Sequence, residues 1–284
     1  MKDRQIVFHA SAKDFEKIPG TPVAYWASEA LITCFTKGTN LYNIAPTKQG
    51  LATGDNDRFL RFWHEVDLDN IAFHCKSSND TLSRVERWYP CNKGGEYRKW
   101  YGNNEYIVNW KNSGIEIKNN YDENGRLKSR PQNESFYFKE GLTWSAIASS
   151  LSMRYSIEGT MFETKGAMCF PKNKQRNYVL GYLNSKVVTK LLQAMAPTLD
   201  FHEGPIGKLP YICCSECESM VNDNIFISQD DWNSYETSWD FQRCPLAVTP
   251  TEREEQFSYA IKAEARRKSV TLISERYMRC RQGW

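Results

Sequence analysis

The sequence lacks any run of about 20 apolar residues, the length that a helix needs to cross a bilayer. Its first residues, Met1 to Gln5, are polar and do not contain the apolar stretch of a secretory signal. Nine cysteines in 284 residues are an odd number and do not suit the disulfide framework of a small secreted protein. We therefore expect a cytoplasmic protein with reduced thiols and no membrane partner.

The motifs of several kinds of site are also missing. The cysteines at 213, 214 and 217 have a zinc-like spacing, but the four histidines stand singly and no second close pair completes a tetrahedral set. No Gly-Lys-Ser/Thr follows a glycine-rich loop, and no glycine-rich strand-to-helix loop of the dinucleotide or methyl-donor type is present. His202 beside Asp200 or Glu203 could form an acid–base pair, but a structural role is favoured. We expect no catalytic residue, metal or cofactor in this chain.

Net charge is small, at +3, because basic and acidic segments offset one another. Residues 84–130 hold ten Lys or Arg and six acids, whereas residues 200–245 hold nine acids and two bases. From residue 252 onward, eight bases face five acids. Any nucleic-acid contact must therefore come from local placement of charge.

Aromatic residues are abundant, at 13% of the chain. Such a share suits a β-rich core or a surface that stacks on nucleobases. The run Trp88–Glu105 interleaves aromatic and basic residues, and Tyr97, Trp100 and Tyr101 are its candidates for a stacking surface. The alternative is a solvated hairpin whose aromatic residues form core, and composition does not choose between the two.

The hydrophobic pattern predicts helices on both sides of a strand-rich middle. A short strand at Ile6–His9 precedes a helix over Tyr25–Phe35, which Gly38 stops. Apolar residues at helical spacing predict one helix from Asn177 to Met195, ended by Pro197. Short strands with turns are expected from about residue 44 to residue 170. Examples of these strands are Tyr106–Trp110, Ile115–Lys118 and Ser135–Phe138.

Three polar segments are candidates for binding DNA. In Lys48–Leu60, two glycines four residues apart allow the backbone to approach a ligand closely. Polar side chains of the same segment can donate to phosphate or to base edges. The alternative is that this segment is a plain hairpin turn. The Trp88–Glu105 run and the loop from residue 126 to residue 133 add cations. The side chains assigned to DNA are Thr53, Asn56, Arg58, Lys93, Arg98, Lys99, Arg126, Lys128 and Arg130.

Several longer stretches resemble one family. They include Gly50–Phe59 with Trp63–Val66, and the block Asn92-Lys93-Gly94-Gly95-Glu96-Tyr97-Arg98-Lys99-Trp100-Tyr101-Gly102. Ser129–Asn133, Phe138–Trp144, Leu180–Lys186, Gly204–Pro210 and Trp232–Phe241 extend the match, which covers about residues 15–245. Together they resemble the target-recognition region of PglX, the adenine-specific DNA methyltransferase family of the bacterial BREX phage-defence systems.

The resemblance implies an α+β, strand-rich DNA target-recognition (specificity) domain with flanking helices. Residues 1–40 would be a helical lead-in from a missing catalytic domain, 41–245 the recognition domain, and 246–284 a divergent basic tail. The family's catalytic domain binds S-adenosylmethionine and holds adenine with an Asn-Pro-Pro-Tyr motif, which this sequence lacks. The chain is therefore expected to begin after that domain and to be inactive in methyl transfer alone.

The partners that this resemblance implies are double-stranded DNA and a separate methyltransferase catalytic chain or other BREX subunits. S-adenosylmethionine would belong to the full-length enzyme. Two alternatives stay open. One is a protein-interaction module that docks on another defence-system subunit through the acidic residues 200–245, and the other is a truncated, inactive gene product.

Overall fold

A computed structural model describes residues 11–172, 174–195, 200–212 and 217–244. The predicted strand Ile6–His9, the cysteines 213 and 214, and the basic tail 246–284 lie outside these residues. Within them, helices and strands alternate along the chain, which confirms a mixed α+β fold. None of the helices in these ranges is long and apolar enough to cross a membrane.

The helices are mostly short. They are α1 (Ala12–Phe15), α2 (Glu29–Lys37), α3 (Leu41–Ile44), α4 (Asn56–Phe59), α5 (Lys111–Lys118), α6 (Arg176–Leu183), α7 (Lys186–Met195), α8 (Glu203–Gly207) and α9 (Glu218–Asn233). The predicted first helix is confirmed as α2, although it begins only at Glu29, where the hydroxyl of the preceding Ser28 accepts from the Leu31 N–H. It ends at Gly38 as expected.

The strands form two four-stranded sheets and one small pair. They are β1 (Thr39–Asn40), β2 (Thr47–Lys48), β3 (Leu60–Phe62), β4 (Trp88–Asn92), β5 (Tyr106–Asn109), β6 (Gly141–Trp144), β7 (Met153–Ser156), β8 (Met161–Phe162), β9 (Met168–Cys169) and β10 (Pro210–Tyr211). The sheet orders are β2-β9-β6-β7, β3-β5-β4-β8 and β1-β10. Neighbouring strands are antiparallel except for β4 and β8.

Two hydrophobic cores lie on either side of the β2-β9-β6-β7 sheet. One core joins β6 and β7 to α6, α7 and α9, and the other joins β9 to the β3-β5-β4-β8 sheet. Met168 and Cys169 are neighbours on β9 and belong to different cores, because successive side chains of a strand point to opposite faces. This arrangement fixes the position of the loops that connect the two sheets.

Asn184 interrupts the helix that was predicted to run from Asn177 to Met195. Its side chain accepts from the Met153 N–H and donates to the Met153 carbonyl, both at 3.0 Å. Ser185 then accepts from the Val188 N–H at 3.5 Å as α7 begins. The prediction of one helix is therefore wrong, because α6 ends at Leu183, α7 begins at Lys186, and Asn184 between them binds the backbone of β7.

Of the three strands predicted as examples, one is confirmed. β5 occupies Tyr106–Asn109 as expected. Residues 115–118 belong instead to α5, where Ile117 is buried while Ile115 is 53% exposed, so the two do not share a strand face. Residues 134–136 form a 3₁₀ turn, and Phe138 has a φ of 67°, which is incompatible with a strand.

Candidate nucleic-acid interface

The glycines of the 50–54 segment allow the chain to pack closely against itself. A Cβ on Gly50 would lie 2.0 Å from the Phe162 carbonyl oxygen. Gly54 has a φ of +69°, and its Cβ would lie 2.6 Å from the Lys128 carbonyl carbon. Both glycines therefore pack closely against Phe162 and Lys128 of the protein itself. Their close approach to a ligand stays a prediction.

This segment is also not a simple hairpin turn. The Leu51 N–H donates to the Phe162 carbonyl at 2.9 Å, on one side of the segment. On the other side, Ala52 and Arg130 exchange two backbone hydrogen bonds of 3.0 and 2.7 Å. The segment thus joins the end of β8 to the loop around Arg130, two regions that are far apart in sequence.

Thr53 holds the Asn56 side chain in a defined orientation. The Thr53 side chain is almost fully buried, at 2% exposure, and its hydroxyl donates to Asn56 Oδ1 at 2.5 Å. Ser129 donates to the Thr53 carbonyl at 2.6 Å, and Asn120 donates to it at 3.3 Å. Since the Oδ1 of exposed Asn56 accepts from Thr53, its Nδ2 is left to donate outward. Thr53 therefore has a positioning role, whereas Asn56 is available to a ligand.

An open depression of about 560 Å³ brings several of the predicted residues together. Thr53, Asn56 and Lys128, three of the predicted DNA contacts, lie in its wall. The other lining residues are Ala52, Gly54, Asp55, Asp57 and Glu163. We call this depression, with its eight lining residues, the recess.

Glu163 is a residue of the recess that the sequence did not single out. It follows β8 and is only 6% exposed. Its Oε2 accepts from the Lys165 N–H at 2.7 Å, while its other oxygen has no donor among the described residues. Burial raises the pKa of Glu163, and the charges of Lys93 and Lys165 act in the opposite direction. An acid directly after the apolar pair Met161–Phe162 was its single sequence signal.

The loop beside the recess exposes Arg126, Lys128 and Arg130. Asp122 accepts from the Arg126 N–H at 2.8 Å, and the Lys128 N–H donates to the Asn120 carbonyl at 2.8 Å, so the loop backbone is well anchored. None of these three cations forms an ion pair within the part of the chain that the structure describes. Cations of this kind are available to phosphate groups.

Arg58 and Lys93 are less free. Arg58 is exposed but lies 3.7 Å from Glu116 and over the Phe59 ring, 4.8 Å from its centroid. The Nζ of Lys93 lies 4.5 Å from the centroid of the Tyr106 ring and close enough to Glu163 to affect its pKa. Arg58 and Lys93 therefore have protein partners already, and their assignment to DNA stays a prediction.

Arg98 and Lys99 are engaged within the protein. Arg98 donates to the Tyr101 carbonyl at 2.9 Å, pairs with Asp231 of α9 and lies over the Trp232 ring. Lys99 donates to the Asn184 carbonyl at 2.8 Å. These contacts give both residues an intramolecular role, and the structure does not place them in the recess. Their contact with DNA stays a prediction.

The aromatic residues of the same run mostly belong to the core. Trp100 and Tyr101 are each 1% exposed, which excludes them as a stacking surface in this conformation. Tyr97 is exposed, so it alone among the three named candidates stays accessible. The expectation for Trp100 and Tyr101 was therefore wrong, because Trp100 packs in the core with β6, β7 and α6 and Tyr101 is equally buried.

The His202 pair is formed, but it lies on the surface. His202 Nε2 is 2.9 Å from Asp200 Oδ2, and both side chains are substantially exposed. His202 also stands at the N-terminus of α8. Among the residues that the structure describes, no group of three or more His, Cys, Asp or Glu side chains is arranged to hold a metal.

Comparison with known proteins identifies methyltransferase relatives. The chain is 39% identical over 241 residues to the adenine-specific methyltransferase PglX of Lacticaseibacillus casei (strain Zhang), covering 83% of this chain and 20% of that protein. It is 38% identical over 238 residues to the adenine-specific methyltransferase BrxX of Escherichia coli O9:H4 (strain HS), covering 82% and 18%. No family model matches the sequence. The chain thus spans about a fifth of the length of these relatives and is similar to one region of them.

Proposed function

We propose that this chain is the DNA target-recognition part of an adenine-specific, S-adenosylmethionine-dependent DNA methyltransferase of a phage-defence system such as BREX. The names of its two relatives support the methyltransferase connection. The recess and the neighbouring loop would bind double-stranded DNA. In this proposal the chain selects the DNA sequence to be methylated, and residues outside this chain carry out the methyl transfer.

The observation that supports DNA binding best is the placement of unpaired cations beside a fixed amide. Arg126, Lys128 and Arg130 are exposed without described acidic partners, and Lys128 lines the same recess as Asn56. Phosphate contacts position a protein on the duplex, whereas amide and other polar side chains contact base edges. The arrangement therefore provides both kinds of contact on one surface.

A catalytic region in a longer or separate chain would supply the reaction. Methyl transfer to a base requires that the base be extruded from the duplex into a separate pocket. Nucleotide-type cofactors bind at the carboxyl ends of parallel strands, and β4 with β8 is the one parallel pair among the named strands of the described residues. That two-residue pairing does not fit a cofactor site of this type.

The proposal is tested by measuring duplex binding by the full chain across a series of salt concentrations. Replacing Lys128 and Arg130 by Ala should weaken binding and reduce the slope of log K against log salt. Each lost phosphate contact lowers that slope by about 0.9, so the double variant should lose about 1.8. Fluorescence anisotropy of a labelled random-sequence duplex measures both quantities.

A matched control removes two positive charges from another surface. Lys190 of α7 and Lys208 after α8 are exposed, and neither lines the recess. The double variant Lys190→Ala/Lys208→Ala should retain the slope of the unmodified chain. An equal reduction of the salt slope in both double variants would show that only the overall charge of the chain matters. If the unmodified chain does not bind duplex DNA, the proposed function is refuted.

A further inference from the structure

The carboxylate of Glu163 is an unusual group to find in a surface that we propose for DNA. It is more than nine-tenths buried, it lines the recess, and one of its oxygens has no described donor. That oxygen is not among the fully buried atoms that lack a partner, so it reaches the open recess. There it can accept from a ligand that carries a hydrogen-bond donor.

Asn56 supplies the complementary group. Its Oδ1 accepts from Thr53, so its Nδ2 is the atom that donates to a ligand in the recess. Glu163 and Asn56 thus present an acceptor and a donor to the same space. Adenine shows the matching pattern in the major groove, where its N6 amine donates and its N7 accepts. Cytosine offers an N4 amine, whereas the O6 and N7 of guanine and the O4 of thymine are acceptors.

The surrounding charges allow DNA to approach this carboxylate. Lys128 lies in the wall of the recess, and Lys93 and Lys165 are close enough to influence Glu163 electrostatically. One cation thus lines the recess together with the acids Asp55, Asp57 and Glu163, and two more lie near Glu163. Repulsion of the phosphate backbone is therefore offset locally, while the carboxylate can still distinguish donors from acceptors.

We propose that Glu163 and Asn56 form a specificity-determining pair that selects a base bearing an exocyclic amine, with adenine preferred to cytosine. This inference rests on the proposed function and adds to it a particular base preference. The carboxylate rejects guanine and thymine because their acceptors would face it. Asn56 adds the preference for adenine, since only adenine places an acceptor next to its amine.

The test is a selection from a random duplex library, performed with the full chain and with Glu163→Gln. A good pair of contacts to a base contributes about 1–3 kcal/mol of discrimination, which corresponds to about 5- to 150-fold. Glu163→Gln should reduce the preference for adenine or cytosine at one position of the selected site by a factor in this range. Preferences at the other positions should persist. The base that the unmodified chain selects there distinguishes adenine from cytosine.

A second variant separates recognition from folding. Asn56→Asp has the same shape, lies on the surface and removes the Nδ2 donor, so it should change the preference at the same position as Glu163→Gln. Glu123→Gln is the matched control, because Glu123 is exposed near the basic loop and does not line the recess. It should leave the whole selected site unchanged.

The results separate this inference from the proposed function. Selection of a site whose base preferences are unchanged by Glu163→Gln, or changed equally at every position, overturns the inference alone. Duplex binding without any selected site also overturns it, while DNA binding itself stands. Absence of duplex binding by the unmodified chain overturns the proposed function and this inference with it.

Discussion

Replacing Arg98 by Ala should destabilise the fold without changing the phosphate contacts of the folded protein. Arg98 connects the run 88–105 to α9 through the Tyr101 and Ser228 carbonyls, Asp231 and the Trp232 ring. The packing there is tight, since a Cβ on Gly102 would lie 2.5 Å from the Arg98 Nε. Lysine cannot reproduce these contacts, because it lacks the planar guanidinium.

The expected loss of unfolding free energy is about 2–4 kcal/mol. Hydrogen bonds from a charged group contribute about 1.5–3 kcal/mol, and a cation–π contact at a partly exposed site adds about 0.5–1 kcal/mol. The ion pair adds at most about 1 kcal/mol, because the Asp231 side chain is 42% exposed and solvent screens the charges. These contributions overlap and do not simply add.

Urea denaturation followed by circular dichroism and tryptophan fluorescence measures this loss, and Arg126→Ala is the control. Arg126 is exposed and has no described ion pair, so its replacement should change the unfolding free energy by no more than about 0.5 kcal/mol. The salt slope of duplex binding by folded Arg98→Ala should equal that of the unmodified chain. An unchanged unfolding free energy together with a slope reduced by about 0.9 would refute this reasoning and support the predicted contact of Arg98 with DNA.

Two further perturbations test the recess itself. Gly54→Ala should lower the unfolding free energy by about 1–3 kcal/mol, because the new methyl would meet the Lys128 backbone. Gly125→Ala should lower it less, because Gly125 has a similar φ of +73° but open space around it. Urea titrations that find equal losses of unfolding free energy for the two variants would contradict this packing. Glu163→Gln should raise the unfolding free energy near neutral pH, and the gain should vanish once the pH falls below the ordinary carboxyl pKa of 4.5. A gain that is independent of pH would contradict the burial of this charge.

The spacing of apolar residues along the sequence identified the helices and strands whose apolar side chains share one face over several residues. α2, with its stop at Gly38, and β5 are of this kind. Pattern failed for Ile115–Lys118, because apolar and polar residues alternate there although the chain is helical. The left-handed residues Asn112 to Gly114, with φ values of 50°, 56° and 73°, lie within the range of α5 and turn the chain ahead of its right-handed part. A hydrophobic pattern does not show this turn.

The candidate site was only partly predictable for a different reason. Thr53, Asn56 and Lys128 were identified from their chemistry, and the structure brings them together. Glu163 was missed because its relation to them depends on the pairing of Leu51 with the end of β8, a contact between distant parts of the chain. Arg98 shows the converse limit, since the sequence displays its charge but not the carboxylate of Asp231 that pairs with it.

Glu163 offers the clearest separation between a structural and a functional role. Burial raises the pKa of Glu163 above its ordinary value of 4.5. At a pH between these two pKa values, Glu163 is protonated in the folded chain and ionised in the unfolded chain. The unfolding free energy therefore falls as the pH rises through this interval. A residue needed only for folding would not be expected to lower stability at neutral pH, whereas binding sites often retain groups that do so. Glu163→Gln should therefore yield a chain that is more stable and less selective. A variant that is less stable and equally selective would show that Glu163 serves the turn at Lys165 instead.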